Sequence, residues 1–338
     1  MDETFPKEWT EFRRRLAQGE ILSPKSDLWE GLIRDFPIPS DAPGDDASLF
    51  QTQMTRNYNF LLATAETPAI RLKKAWLWTT FIVSVLFARA ARILWDRNLN
   101  PRSFEHLMGY PRFPRFMKRL GLWNGYLRFC ASLGIAADSF NTAQMFWISE
   151  RILSIPSLPK TGLRVLEVGA GTGNLAIMLA KRTGAGLYVI VDLPEMLLYS
   201  SRTVRHFLPD VPVRFAPPVD KNGTLTLPSE GFFFVPHQDA DRLPADSFDL
   251  CININSFQEM LREQVAGYLA LFQRSARTGG HIVTSNRRKP MKGFDNNPLC
   301  YPYRPNEVLL WETDPFMYEV LRWDRPDSSL FRVERVRK

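Results

Sequence analysis

The run Glu167-Val168-Gly169-Ala170-Gly171-Thr172-Gly173-Asn174 places a carboxylate two residues ahead of three glycines at alternate positions. It follows a short apolar stretch from Leu163 and leads into a helical one, Leu175 to Lys181. Glycine takes up positive φ without steric cost, so such a bend can set bare backbone against a ligand where a side chain would block it. The helix behind it presents unpaired N–H groups to the same crevice. Nineteen residues past Gly173 a second apolar stretch, Leu187 to Val191, ends in Asp192 and Leu193. A doubly wound sheet places a carboxylate for ribose hydroxyls there.

Two nucleotide ligands compete for this pattern. The dinucleotide fingerprint is Gly-x-Gly-x-x-Gly; here its sixth position is Asn174 and the third glycine comes one residue early. Glu167 would also set negative charge beside a pyrophosphate. A carboxylate there suits an ammonium group, and the methionine end of S-adenosylmethionine carries one next to its sulfonium. Downstream, His237-Gln238-Asp239-Ala240 precedes the apolar run Phe248 to Ile252. Asp239 there can cap a turn. Glu-x-Gly-x-Gly-x-Gly resembles motif I of the Rossmann-like, S-adenosylmethionine-dependent methyltransferases. The Asp239-Ala240 pair also resembles the acid-Ala pair that brackets the adenine in those enzymes, which implies that its carboxylate accepts from the exocyclic amine while a backbone N–H donates to the ring. The resemblance implies an α/β fold with a seven-stranded sheet and S-adenosylmethionine as cofactor. Its candidate cofactor-binding residues are Glu167, Gly169, Gly171, Gly173, Asn174, Asp192, Leu193, Asp239, Ala240 and Asn253.

Ligands of an open α/β sheet bind outside the carboxyl ends of the strands. The fourth predicted strand is followed by Asn253-Ile254-Asn255-Ser256-Phe257-Gln258-Glu259-Met260, and the fifth by Ser285-Asn286-Arg287-Arg288. These segments, with Val191-Asp192-Leu193-Pro194-Glu195-Met196, resemble a bacterial family described as sugar O-methyltransferases, over roughly residues 159–288. An alcohol is a weak nucleophile at neutral pH, so methyl transfer to a hydroxyl needs alignment and a base. Glu259 is the first candidate base, although an acid there also suits a helix N-terminus. His237 is the second and His106 the third. Asn255, Ser256, Asn286, Arg287 and Tyr303 are candidate acceptor-binding residues, with Tyr110, Tyr301 and Trp311 able to wall the site or to pack. No Asp or His cluster at ligand spacing follows the fourth strand, so no metal is expected.

The elements that must position these groups follow from periodicity. Strands are predicted at about 163–168, 187–192, 232–236, 248–254 and 281–285, with helical stretches after the first, second and fourth. Residues 209–231 read as an irregular insert, Gly279-Gly280 as the turn into the fifth strand, and Ser329 to Val336 as an antiparallel edge strand. Residues 1–160 read as mostly helical: helices over 5–16, 26–36, 49–65, 68–97 and 138–154, a proline-rich linker at 37–48, and a loop broken by Pro101, Pro111 and Pro114. The division expected is therefore a helical lid domain, 1–160, and a Rossmann-like cofactor domain, 161–338.

Composition narrows the partners. The 338 residues carry a net charge of +7, and Arg71 to Arg128 hold 12 Lys/Arg against two acids. That segment is either a set of solvated helix faces or a surface for an anionic partner: a phosphorylated or carrier-linked small molecule, or a membrane surface. No nucleic-acid-binding motif accompanies it. Ala75 to Ala88 is apolar but, at 14 residues, short of the roughly 20 that a span needs; a buried helix is expected, with peripheral membrane contact as the alternative. Cys130, Cys251 and Cys300 have no metal or disulfide spacing, and the opening residues lack the pattern of a signal peptide. A reducing, cytoplasmic setting is expected, and oligomeric state is left open. The function expected is O-methylation of a sugar or sugar-bearing small molecule. The alternatives are C- or N-methylation in secondary metabolism, or a non-catalytic scaffold binding an anionic partner through its basic half.

Overall fold

The computed structural model describes residues 4–20, 112–135, 137, 140–184, 186–215, 219–288, 296–320 and 329–338. The chain divides into two compact units: Met1–Gly44 with Met145–Asp314 and Pro326–Lys338, and Asp45–Gln144 with Pro315–Arg325. This partition differs from a single break near residue 160. The first helix, α1 (Thr4–Ala17), falls in the sheet-bearing unit. His106, Tyr110, Ala75–Ala88, the linker at 37–48 and the helices expected over 26–36, 49–65 and 68–97 lie outside the described residues.

The sheet has eight strands: β1 (Val165–Val168), β2 (Leu187–Asp192), β3 (Val213–Phe215), β4 (Gly231–Pro236), β5 (Phe248–Ile254), β6 (Ala276–Arg287), β7 (Glu307–Thr313) and β8 (Ser329–Arg335). Their order is β3-β4-β2-β1-β5-β6-β8-β7. The six from β3 to β6 run parallel, and β8 runs antiparallel between β6 and β7. The expected count of seven is corrected. The supposed irregular insert holds β3, and β7 adds an outer strand. The last strand is antiparallel as expected, but it is interior and buried along most of its length. Gly279 and Gly280 lie within β6 at a register irregularity, not in a turn before it. A Cβ on Gly280 would press on the carbonyls of Arg277, Phe248 and Asp249 at 3.0–3.2 Å.

β1, β2, β4 and β5 are apolar on both faces because helices cover both, as in parallel sheets generally. Helices α5 (Asn174–Thr183), α6 (Pro194–Phe207) and α7 (Arg262–Ser275) follow β1, β2 and β5. The core on one face joins Leu166, Val189, Val235, Cys251, Phe257 and Phe272. α1 seats Phe12 on Phe215 of β3 (4.9 Å between ring centroids), and Glu8 accepts from the Phe215 N–H at 2.9 Å. Because β1 lies between β2 and β5, the chain reverses its direction of winding there. A crevice opens at the carboxyl ends of such strands.

In the second unit α2 (Phe113–Arg119) and α3 (Trp123–Ser132) pack Phe113 edge-on to Tyr126 at 6.2 Å. Pro114 lies in the first turn of α2 rather than breaking the chain there. Phe316, in α8 (Pro315–Glu319), meets Phe116 at 5.3 Å, and Arg119 pairs with Glu319 at 2.5 Å. α4 (Phe140–Leu153) leads into β1.

Candidate active site

β1 delivers Glu167 and Val168 to the switch point, and the glycine bend follows at once. Gly169, Gly171 and Gly173 all have positive φ (74°, 58° and 80°). Their surroundings differ. A Cβ on Gly169 would fall 1.9 Å from Ser256 Oγ, so the bend and the loop after β5 touch there. Gly173 faces α6, with Ser200 at 3.5 Å. Gly171 has nothing within 4 Å of that position, so its backbone borders open space. Asn174 opens α5, and its buried Oδ1 has no hydrogen-bond partner.

Asp192 closes the crevice from the end of β2. Its two oxygens accept from Gly171 N–H (2.9 Å) and Leu193 N–H (2.8 Å), which fixes the carboxylate beside the open glycine. Glu167 is buried and accepts from Tyr188 O–H at 2.5 Å. Burial pushes the Glu167 carboxyl up to about 7 against the Tyr188 hydrogen bond, with a further push from the Asp192 charge. Asp192 is likewise raised to about 7, mainly by burial, against its two backbone hydrogen bonds and with help from Glu259 and Glu195. Among the described residues the charges acting on this pair are Asp192 on Glu167, and Glu259 and Glu195 on Asp192, all negative. Buried like charges disfavour ionisation until a cation arrives, so the crevice suits a cationic ligand and repels a pyrophosphate.

The loop after β5 supplies the other wall. Glu259 ends a 3₁₀ turn, Phe257–Glu259, and its charge reaches Asp192. Asn253 is fully buried: its Nδ2 donates to the Val168 carbonyl (2.9 Å), while its Oδ1 accepts from Phe257 N–H (3.1 Å) and from Asn286 Nδ2 (3.0 Å). Its amide thus ties together the ends of β1, β5 and β6. Asn255 adopts a left-handed backbone (φ 57°) and donates its N–H to the Ser285 carbonyl at 2.7 Å. Ser256 is pressed over Gly169. Arg287 donates its N–H to Gln258 Oε1 at 3.1 Å.

Other candidates fall elsewhere. Asp239 and Ala240 follow β4 in a 3₁₀ turn, His237–Arg242, beyond Asp192; Asp239 pairs with Arg242 at 3.1 Å and Ala240 is buried in the core. His237 precedes them, with a buried Nε2 lacking a hydrogen-bond partner, and burial lowers its pKa. Tyr303 lies against the sheet, its hydroxyl 3.4 Å from Thr284 Oγ1 and Arg332 4.1 Å over its ring. Arg332 also covers Trp311 at 4.3 Å, and Tyr301 packs edge-on to Phe257 at 5.9 Å. These aromatic rings pack here. Tyr188 and Asn296 were not singled out from the sequence; only the strand register, which turns Tyr188 to the face of Glu167, would have pointed to the first.

Among the described residues no group of three or more His, Cys, Asp or Glu could hold a metal ion, and no helix is long and apolar enough to cross a membrane. Of the basic segment only Arg112 onward is described; there Lys118 stacks on Trp123 at 5.7 Å and Arg119 is paired. A small void at the amino end of the strands, lined by Leu163, Leu179, Leu187, Tyr188, Leu208 and Phe232, is mostly apolar.

No family model matches the chain. No curated protein matches it either. Among solved structures it is similar to a SAM-dependent methyltransferase from Aquifex aeolicus (16% identity, 56% of this chain and 89% of that one, TM-score 0.35). It is also similar to magnesium protoporphyrin IX methyltransferase from Synechocystis with bound SAH (13%, 75% and 95%, 0.41). A third is geranyl diphosphate C-methyltransferase from Streptomyces coelicolor (11%, 56% and 75%, 0.41). At these identities and scores the likenesses carry no argument about this chain.

Proposed function

We propose that this chain is an S-adenosylmethionine-dependent methyltransferase acting on a hydroxyl of a small polar acceptor, a sugar or sugar-bearing molecule. The observation that carries the reading is the open backbone at Gly171 between two carboxylates, buried Glu167 and half-buried Asp192, at the switch point of a parallel sheet. When bound, the cofactor supplies an electrophilic methyl group on a sulfonium. Glu167 would receive its ammonium group, and Asp192, already oriented by two backbone N–H groups, would receive ribose hydroxyls through its remaining lone pairs. Asp239 and Ala240 would meet the adenine. Asn174 offers a buried acceptor at the head of α5. Glu259, on the wall formed after β5, would take the proton of the acceptor hydroxyl. His237 is the second base, because burial keeps its imidazole neutral with Nε2 uncommitted. The setting proposed is the cytoplasm, in keeping with three free cysteines.

Calorimetric titration tests the cofactor. S-adenosylhomocysteine should bind and NAD should not; the reverse result overturns the assignment. Labelled S-adenosylmethionine with a panel of glycosides and sugar nucleotides then tests the acceptor. Label on none of them, with the cofactor bound, favours a scaffold.

A further inference from the structure

The polarity of one buried hydrogen-bond chain specifies what the acceptor side of the crevice can take. Asn253 Nδ2 must be the donor to the Val168 carbonyl, and Asn253 Oδ1 must be the acceptor for Phe257 N–H. The group that meets Asn253 Oδ1 must therefore be the Nδ2 of Asn286, at 3.0 Å. Asn286 cannot turn over without setting oxygen against oxygen, so its Oδ1 points away as an acceptor. It is buried, the residue is 1% exposed, and no donor reaches that oxygen. Asn296 repeats the arrangement independently. Its Nδ2 donates to the carbonyls of Phe257 (3.3 Å) and Met260, and its Oδ1 is buried with no donor, in a residue also 1% exposed. Asn255 Oδ1, next to Asn286 across the ends of β5 and β6, is a third buried oxygen without a donor. Asn255 lies in the turn 253–260 that carries Glu259, Asn286 bonds Asn253 at its start, and Asn296 bonds its Phe257 and Met260 carbonyls. Native proteins rarely leave buried acceptors unmet.

We propose that Asn286 and Asn296, with Asn255, form an acceptor-only subsite that selects the methyl acceptor by its hydrogen-bond donors, taking neutral polyol hydroxyls and excluding a phosphate or carboxylate. This rests on the crevice being a methyl-transfer site and narrows its substrate class. A deprotonated anion offers no donor and would face amide oxygens, whereas each hydroxyl can donate to one of them. Arg287 does not oppose this: successive strand residues point to opposite faces, so its side chain leaves β6 on the face away from that of Asn286.

The test uses the full chain with S-adenosylhomocysteine present and follows three probes by ligand-observed NMR and calorimetry: myo-inositol, methyl α-glucoside and phenyl phosphate, the last at pH 8, where its dianion carries no O–H. The polyols should bind and phenyl phosphate should not compete with them. Asn296→Ala should weaken polyol binding at least tenfold while changing S-adenosylhomocysteine affinity less than twofold, which also reports an intact fold; Asn286→Leu should weaken polyol binding as much, and because Asn286 also holds Asn253 its fold is read separately from the unfolding midpoint. Phenyl phosphate binding in place of the polyols overturns the proposal. So does the absence of polyol binding, or polyol affinity unchanged in both variants, as when a buried water alone meets these oxygens. Failure of S-adenosylhomocysteine to bind the unaltered chain would instead overturn the methyltransferase reading itself.

Discussion

Replacing Tyr188 by Phe isolates one atom of the cofactor site. The ring of Tyr188 stacks on Phe232 at 5.2 Å, and Phe keeps that stack; only the hydroxyl that donates to Glu167 is lost. With the Glu167 carboxyl near 7, capture of an ammonium group requires release of its proton. At pH 6 that release costs about 1.4 kcal/mol, and at pH 8 almost nothing. The Kd for S-adenosylhomocysteine should therefore fall about tenfold from pH 6 to pH 8. A hydrogen bond to a charged group is worth about 1.5–3 kcal/mol, so Tyr188→Phe should move this profile upward by about one pH unit or more. Binding at pH 7 should weaken roughly tenfold. Calorimetry in buffers of different ionisation enthalpy counts the protons released. A Kd that stays flat between pH 6 and 8, or a Tyr188→Phe profile superimposable on the wild type, would refute the reasoning.

The same carboxyl makes stability pH-dependent in the absence of cofactor. Its folded pKa, about 7, lies above the ordinary 4.5, so its contribution is fully present below 4.5 and is lost as pH rises through 7. The loss is about 3 kcal/mol, seen as a Tm that drops between pH 5 and pH 8 and is restored by S-adenosylhomocysteine; a Tm that rises instead contradicts it. Gly171→Val should abolish S-adenosylhomocysteine binding in calorimetry, since it forces a β-branched residue into φ 58° and fills the open space. Glu259→Gln should leave cofactor affinity intact and lower turnover roughly a hundredfold; normal turnover would transfer the role of base to His237 or His106. Asn253→Ala should destabilise the fold by about 3 kcal/mol in denaturant unfolding, because three buried partners lose their hydrogen bonds.

What the sequence discloses depends on how local the signal is. β1, β2, β4, β5 and the core of β6 are largely apolar runs, so the strands can be read directly, and Glu167, Asp192 and Glu259 follow as candidates from their places near the strand ends. β3 has three residues between Pro212 and Pro217, too short to register against its prolines. β7 carries its apolar Val308, Leu309 and Trp311 to the surface, so its pattern gives no inward face to recognise. The last strand alternates apolar and charged residues yet lies inside the sheet, because Arg332 is covered by Tyr303 and Trp311 and paired with Glu334. The polarity of Asn286 depends on an amide 33 residues away, which no spacing rule reaches. His106 and the basic helices stay as sequence expectations.

Asn253 carries an engineering consequence. One side-chain amide bolts together the tails of three strands, so the glycine bend and the loop after β5 are a single mechanical part. A loop transplanted after β5 would drag the glycine bend with it unless that bolt and its three partners were kept.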